Sequence, residues 1–247
     1  MRHVLGTLAL IALPAALAAQ PGKFPPDSLV NTKVIPHATP VIQVVGMMRN
    51  FTSDLGVRCQ FCHLGREGQP LDQFDFPSDE KRTKLVARQM MLMVQEINRR
   101  VDTLPKGTNP TLQVTCATCH RGVSRPAPLS TVLADIATAS GADSAVRAYK
   151  ALRNRYYGSA SYDFTEPSLN TAAFRLGRAN KFDEAFALLR LNEELYPTSS
   201  GLSVFRGNIA LMKNDTSAAE AAFREAIRRD STNNEAKGRL RAIGKQP

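Results

Sequence analysis

Cys59-Gln60-Phe61-Cys62-His63 and Cys116-Ala117-Thr118-Cys119-His120 contain every cysteine of this chain, four in 247 residues. Cys-x-x-Cys-His is the attachment signature of c-type haem. Two thiols add to the vinyl groups of the macrocycle as thioethers, and the adjacent histidine supplies the proximal iron ligand. On a helical turn the first Cys and the His are four apart, so both face the macrocycle. The spacing therefore assigns Cys59, Cys62, Cys116 and Cys119 to the covalent attachment of two haems c, and His63 and His120 to their irons. Four thiolates also make a closed tetrahedral zinc site, and two pairs suit disulfides or a redox centre in an oxidising compartment. Neither gives a reason for a histidine after each pair in a chain with 4 His.

Working outward, residues 1–19 read as a secretory signal peptide. Arg2 gives the positive start, Val4 to Leu17 an apolar run broken by Pro14, and Ala16-Leu17-Ala18 a small-x-small cleavage site. The run is short of the ~20 residues of a transmembrane span, so an uncleaved anchor is the weaker reading. No Cys near the cleavage site offers a lipid anchor, and no later stretch is long and apolar enough to cross a bilayer. The expectation is a soluble, exported, periplasmic protein, where haem is attached and free thiols are a liability. The formal charge is +10, and losing Arg2 with the signal leaves 10 − 1 = +9. With no nucleic-acid motif, that balance points to an anionic membrane surface touched peripherally, or to an acidic redox partner. Length permits about two small domains.

Methionine thioether as sixth ligand favours ferrous iron and makes an electron carrier, so methionine positions matter. The spacing predicts a helix over Pro40–Leu55, capped by Thr39, with Val41, Val44, Met48, Phe51 and Leu55 on one stripe and Gly56 as its stop. Met48 sits mid-stripe, ahead of Cys59, and Met47 points about 100° away. A second helix is expected from about Asp79 to Val101, with Ser78 as cap and Asp79 and Glu80 in its first turn. Val86, Met90, Met93, Ile97 and Val101 form its expected buried stripe, with Met91 off it; periodicity alone leaves Met90 and Met93 both open as ligands. The loop from Asp102 to Val114 returns the chain to Cys116. His37, the one other histidine after the signal, reads as a surface-loop residue beside Thr39 and Pro40 rather than a distal ligand.

Met48-Arg-Asn-Phe-Thr-Ser-Asp-Leu-Gly-Val-Arg-Cys-Gln-Phe-Cys-His resembles a haem-binding segment of the photosynthetic reaction-centre cytochrome c subunit family. So does Val86-Ala-Arg-Gln-Met-Met-Leu-Met-Val-Gln-Glu-Ile-Asn followed by Val114-Thr-Cys-Ala-Thr-Cys-His-Arg-Gly. The resemblance spans about residues 37–125. It implies that each haem lies against a helix carrying its distal Met, which makes Met48 the match for the first iron and Met90 for the second, with Met93 as the alternative. The photosynthetic subunit carries four haems in two repeated pairs; this chain has one pair, and its loop between Met90 and Cys116 is a few residues longer. The domain also resembles exported multihaem carriers of non-phototrophic bacteria, so the reaction-centre partner does not carry over.

Beyond an N-terminal extension at 20–36 and the haem domain at 37–125, residues 126–165 read as a linker and a connecting helix. That helix runs about Ala142–Tyr157 and is rich in Tyr and Arg. From 166 to 247 a thirty-four-residue echo, the tetratricopeptide period, links Phe182, Ala185, Leu189 and Pro197 to Thr216, Ala219, Phe223 and Ser231. Helix pairs are expected at Ser168–Ala179 with Phe182–Leu195 and at Gly201–Lys213 with Thr216–Arg229, then a cap at Asn234–Ile243. The stretch resembles tetratricopeptide repeats, without the usual aromatic early in each. The expected fold is all-α: a helical dihaem c-type cytochrome domain followed by a tetratricopeptide-like domain.

The expected function is electron transfer between redox proteins through His/Met-ligated irons, with the repeats docking a membrane oxidoreductase or another cytochrome. Two rivals stand beside it. A dihaem peroxidase needs an open iron and a nearby acid–base group, for which Glu67, Asp72, Asp75 and Asp79 are candidates. A haem-based redox sensor or assembly factor would use the repeats as its output.

Overall fold

A computed structural model describes residues 23–105 and 112–247. The signal-peptide reading falls on residues outside these. The described residues are all-helical: ten α-helices, two short 3-10 turns and one isolated antiparallel bridge, Leu64 to Asp75. This is the expected fold class. No helix among the described residues is long and apolar enough to cross a membrane.

The chain divides into two compact units. One runs to Ser53 and resumes over Val57–Val114; the other joins Asp54–Gly56 to Thr115–Pro247. The first unit holds most of α1 (Val41–Leu55), the 3-10 turns Cys59–Phe61 and Leu71–Gln73, and α2 (Arg82–Val101). Pro40 stands just before α1, and its carbonyl accepts from the amides of Gln43 and Val44. Gly56, at φ +63°, ends the helix as expected.

Helix α2 starts three residues later than its expected start at Asp79. The Lys84 ammonium donates to the carbonyls of Phe76, Pro77 and Ser78 at 2.8, 2.8 and 2.7 Å. Carbonyls turned to one lysine are not free to accept from a helix; Ser78, the expected cap, accepts from the Glu80 amide at 3.3 Å instead, and Asp79, expected in the first turn, pairs with Lys84 and Arg88 at 3.1 and 3.0 Å. A second difference concerns burial. Val86, Met90 and Met93 are 43%, 40% and 47% exposed, and α2 has no buried residue. The face that the first unit covers is the opposite one, carrying Lys84 and Arg88, because those side chains bind the loop that precedes the helix.

The second unit contains α3 (Cys116–His120), α4 (Leu129–Ser140), α5 (Ala142–Tyr156), α6 (Glu166–Arg178), α7 (Phe182–Leu195), α8 (Ser200–Met212), α9 (Thr216–Arg229) and α10 (Asn234–Ala242). Helix α4 packs on α5 and α6, and from α6 to α10 each helix packs on the next. Helix α4 lies where the sequence reads as linker; Leu129, Leu133 and Ala137 recur at helical spacing and are buried with Ala145 and Tyr149 of α5. Helices α7 and α9 have the bounds that the repeat spacing gives. Inside the stack Asn192, fully buried, donates to the Glu166 carbonyl at 2.9 Å and to Asn170 Oδ1 at 3.0 Å, so its burial leaves both amide hydrogens paired.

The two units differ in how they cohere. Two apolar clusters fill the second. In the first, Val44 is the one buried apolar residue among those described.

Candidate functional site

Beyond Gly56 the chain enters the first unit and winds at once into the 3-10 turn Cys59–Phe61. The Cys59 carbonyl accepts from the amides of Cys62 at 3.2 Å and His63 at 3.0 Å, so one turn carries both thiols and the imidazole. Thr83 Oγ1 of α2 donates to the Phe61 carbonyl and pins the turn. His63 faces a carbonyl, so its Nδ1 carries the proton: Nδ1–H donates to Phe76 O at 3.2 Å and leaves Nε2 as the lone-pair donor. The imidazole also stands edge-on to the Phe76 ring, centroids 4.9 Å apart, and Phe76 is flanked by Phe24 and Phe74. Burial pushes the His63 pKa down, opposed by the Phe76 hydrogen bond and helped by the charges of Lys84 and Arg88. Neutral imidazole is the form that ligates a metal. Burial also pushes the Cys62 thiol up.

In the second unit Thr115 caps α3 with a reciprocal pair: its side chain accepts from the Thr118 amide, and its own amide donates to Thr118 Oγ1 at 2.9 Å. Cys116, Cys119 and His120 thus ride one short helix. Burial raises the Cys116 thiol, and the Asp54 charge adds to it. Arg121 then takes the left-handed conformation at φ +49° and Gly122 follows at +81°. That reversal returns Val123, whose carbonyl accepts from His120 Nδ1–H at 2.9 Å. Nε2 is again left as the lone-pair donor. The Arg121 carbonyl accepts from Ser161 Oγ at 2.6 Å, and the Gly122 amide donates to the Asp54 carbonyl at 2.8 Å.

Met48 is half-buried on α1, while Met90 and Met93 are exposed on α2 beside a half-buried Met91. Met48, Met90 and Met93 belong to the first unit, as do Cys59, Cys62 and His63; Cys116, Cys119 and His120 belong to the second. His37 is exposed in the turn before α1. Of the four acid–base candidates, Glu67 is exposed, Asp72 lies in the second 3-10 turn, and Asp75 Oδ1 accepts from the Ser78 amide at 2.9 Å. Arg88, with Asn31 and Lys84, holds the Asp79 carboxyl well below the usual carboxylate range, which makes it a poor proton donor.

Several supporting residues escape sequence reading. Asn98 on α2 clamps the end of the return loop: Nδ2 donates to Val114 O and Oδ1 accepts from Val114 N, both at 2.8 Å. Phe76 meets His63 across thirteen residues and Lys84 reaches back over six to eight, spacings that match no helix or turn period, while Val123 depends on the reversal at Arg121 and Gly122. The pair Thr115 and Thr118 does have a local signal, the three-residue spacing of a helix cap. Asn98→Ala removes both clamp bonds and leaves the Val114 amide and carbonyl without protein partners. We expect a loss of about 1–3 kcal/mol from the first unit, read as a lower urea midpoint; an unchanged midpoint would show that the clamp is dispensable.

The residues present fit covalently attached haem. Each motif offers two thiols on one turn and an imidazole with a free Nε2. Leu85, Val86, Met90, Leu92 and Met93 of α2 leave an apolar band 40–47% exposed, a surface suited to a flat apolar macrocycle. Helical structure with such turns is consistent with an all-α cytochrome fold. Residues 68–174 match the family described as the photosynthetic reaction centre cytochrome C subunit, which gives that stretch the character of a haem-based electron-transfer cytochrome. The match shares residues 68–125 with the motif resemblance. It includes the second cysteine motif, begins after the first, and continues through α4 and α5 into α6. It does not extend over the helices beyond α6. No curated protein and no solved structure matches the chain.

Proposed function

We propose that the protein is an exported dihaem c-type cytochrome that passes single electrons between redox proteins. The observation that carries this reading is the duplicated Cys-x-x-Cys-His turn, each with its imidazole Nδ1–H tied to a backbone carbonyl. Cys59 and Cys62 hold one haem and Cys116 and Cys119 the other, with His63 and His120 as proximal ligands. The bound haem supplies an iron that cycles between Fe(III) and Fe(II). The chain's part is to hold that iron in one ligand set through the cycle, so that little rearrangement accompanies reduction. Phe76 and Val123 would orient the imidazoles, and by resemblance Met48 would serve as the second protein ligand of the first iron and Met90 of the second, with Met93 one turn further along as alternative. The signal-like residues 1–19 support export, to the periplasm or beyond, and the helices after α5 offer a docking surface for a redox partner, a membrane oxidoreductase or another cytochrome.

The test is the optical spectrum of protein matured with haem-attachment machinery. Two haems per chain and no CO shift are expected. Met48→Ala should turn one haem high-spin and CO-reactive, and Met90→Ala the other. A wild-type haem that already binds CO would sink the closed-site reading in favour of peroxide or gas chemistry. A Met90→Ala spectrum like wild type, with a change in Met93→Ala, would move the second ligand to Met93.

A further inference from the structure

The two proximal histidines are held unequally. His120 Nδ1–H donates to the Val123 carbonyl at 2.9 Å, and among the described residues no other donor reaches that oxygen. His63 Nδ1–H donates to the Phe76 carbonyl at 3.2 Å, and the Lys84 ammonium donates to the same oxygen at 2.8 Å. Lys84 is also bound by the carbonyls of Pro77 and Ser78 and lies 3.1 Å from Asp79 Oδ1; Asp79 Oδ2 takes Arg88 at 3.0 Å. The side chains of Lys84 and Arg88 are only 12% and 15% exposed. Around His63 two shielded cations therefore stand against Asp79 and against Asp75, whose carboxylate accepts from the Ser78 amide.

A strong acceptor on Nδ1–H makes a proximal imidazole more basic, and a more basic imidazole favours Fe(III). A carbonyl already gripped by an ammonium is a weaker acceptor. The shielded positive charge adds to this, because it raises the energy of the extra charge on Fe(III) in surroundings of low dielectric. Both effects favour the ferrous state at His63; among the described residues the acceptor carbonyl of His120 is shared with no second donor.

We propose that Lys84 is a positioning residue that tunes the first haem: by sharing the Phe76 carbonyl with His63, it makes the iron held by His63 the higher-potential one of the pair. In the half-reduced protein the single electron then resides there, as Fe(II), while the iron held by His120 stays Fe(III); no bond or proton moves. This inference rests on the dihaem reading above and adds an order to the two sites.

The experiment is a dithionite titration of the two-haem protein, following absorbance against potential. Wild type should show two waves. Lys84→Met should move the upper wave by a factor of about ten in the reduction equilibrium toward Fe(III), which is about 59 mV for a one-electron couple, and leave the lower wave in place. Lys84→Arg, which keeps the charge, should hold the upper wave within threefold of wild type. Lys84→Gln should move it in the same direction as Lys84→Met, and it serves if the Met variant loads haem poorly. A wild-type chain with fewer than two haems sinks the reading on which the inference rests. Two haems whose potentials ignore Lys84, or a shift confined to the lower wave, overturn the inference alone.

Discussion

Chain made without haem attachment should have an unfolded first unit beside a folded second one. The second unit has two filled apolar clusters, with side chains such as Tyr149, Phe223 and Leu188 fully buried, and that is enough for cooperative folding. The first unit buries Val44 and little else. Ordering its backbone is opposed by conformational entropy, and among the described residues almost no fully buried apolar side chain is there to offset it. Covering the remaining exposed part of Leu85, Val86, Met90, Leu92 and Met93 adds about 1 kcal/mol each. The sum, on the order of 5 kcal/mol, is comparable with the whole stability of a small domain. Hydrogen exchange on haem-free chain should show fast exchange over residues 41–101 and protection over 129–242. Equal protection in both stretches would mean that the first unit stands without its cofactors, and that the apolar band of α2 has another purpose.

Gly56→Val should be the most damaging single substitution outside the cysteine motifs. Gly56 has φ +63°, and a Cβ built there lies 2.0 Å from the carbonyl oxygen of Gly122. The obstacle is backbone, so no side chain can swing away, and the left-handed conformation itself costs a branched residue about 1–2 kcal/mol. Relief requires moving Gly122, which also breaks its 2.8 Å bond to the Asp54 carbonyl. We expect a loss of about 3 kcal/mol or more, seen as a lower denaturation midpoint of haem-loaded protein and a lower yield of it. Gly46→Ala, in the middle of α1 with open space at its Cβ, is the control. Removing a flexible residue from a helix there should stabilise by about 0.5–1 kcal/mol. If both variants behave alike, the close approach of Gly56 and Gly122 has no energetic weight.

These results depend on features of unequal legibility. The cysteine turns, the helix stop at Gly56 and the bounds of α7 and α9 follow from local rules: thiol spacing, backbone freedom and apolar period. Helix α2 illustrates where such rules stop. Its apolar stripe has the period of a buried face, yet polypeptide covers the other face, because Lys84 and Arg88 are held by the preceding loop and by Asp79. Periodicity says that a face is apolar and not what will cover it. The late start of α2 has the same origin, since Lys84 holds the Ser78 carbonyl and Asp79 is drawn into ion pairs with Lys84 and Arg88. Helix α4 was hidden by prolines at 126 and 128 that read as linker, although Pro128 merely precedes its first turn. The acceptors behind His63 and His120 lie at different sequence offsets, thirteen residues on and three residues on, so no common motif announces them.

The last turn of α1 has a place in time as well as in space. Its Asp54 carbonyl waits for an amide at position 122, beyond both cysteine motifs. A chain emerging from its N-terminus exposes Cys59 and Cys62 before that bond is possible, and Cys116 and Cys119 arrive with the residues that make it. In chain order the Asp54 carbonyl precedes both Cys-x-x-Cys-His motifs and the Gly122 amide follows them, so this one bond closes a loop that carries all four cysteines.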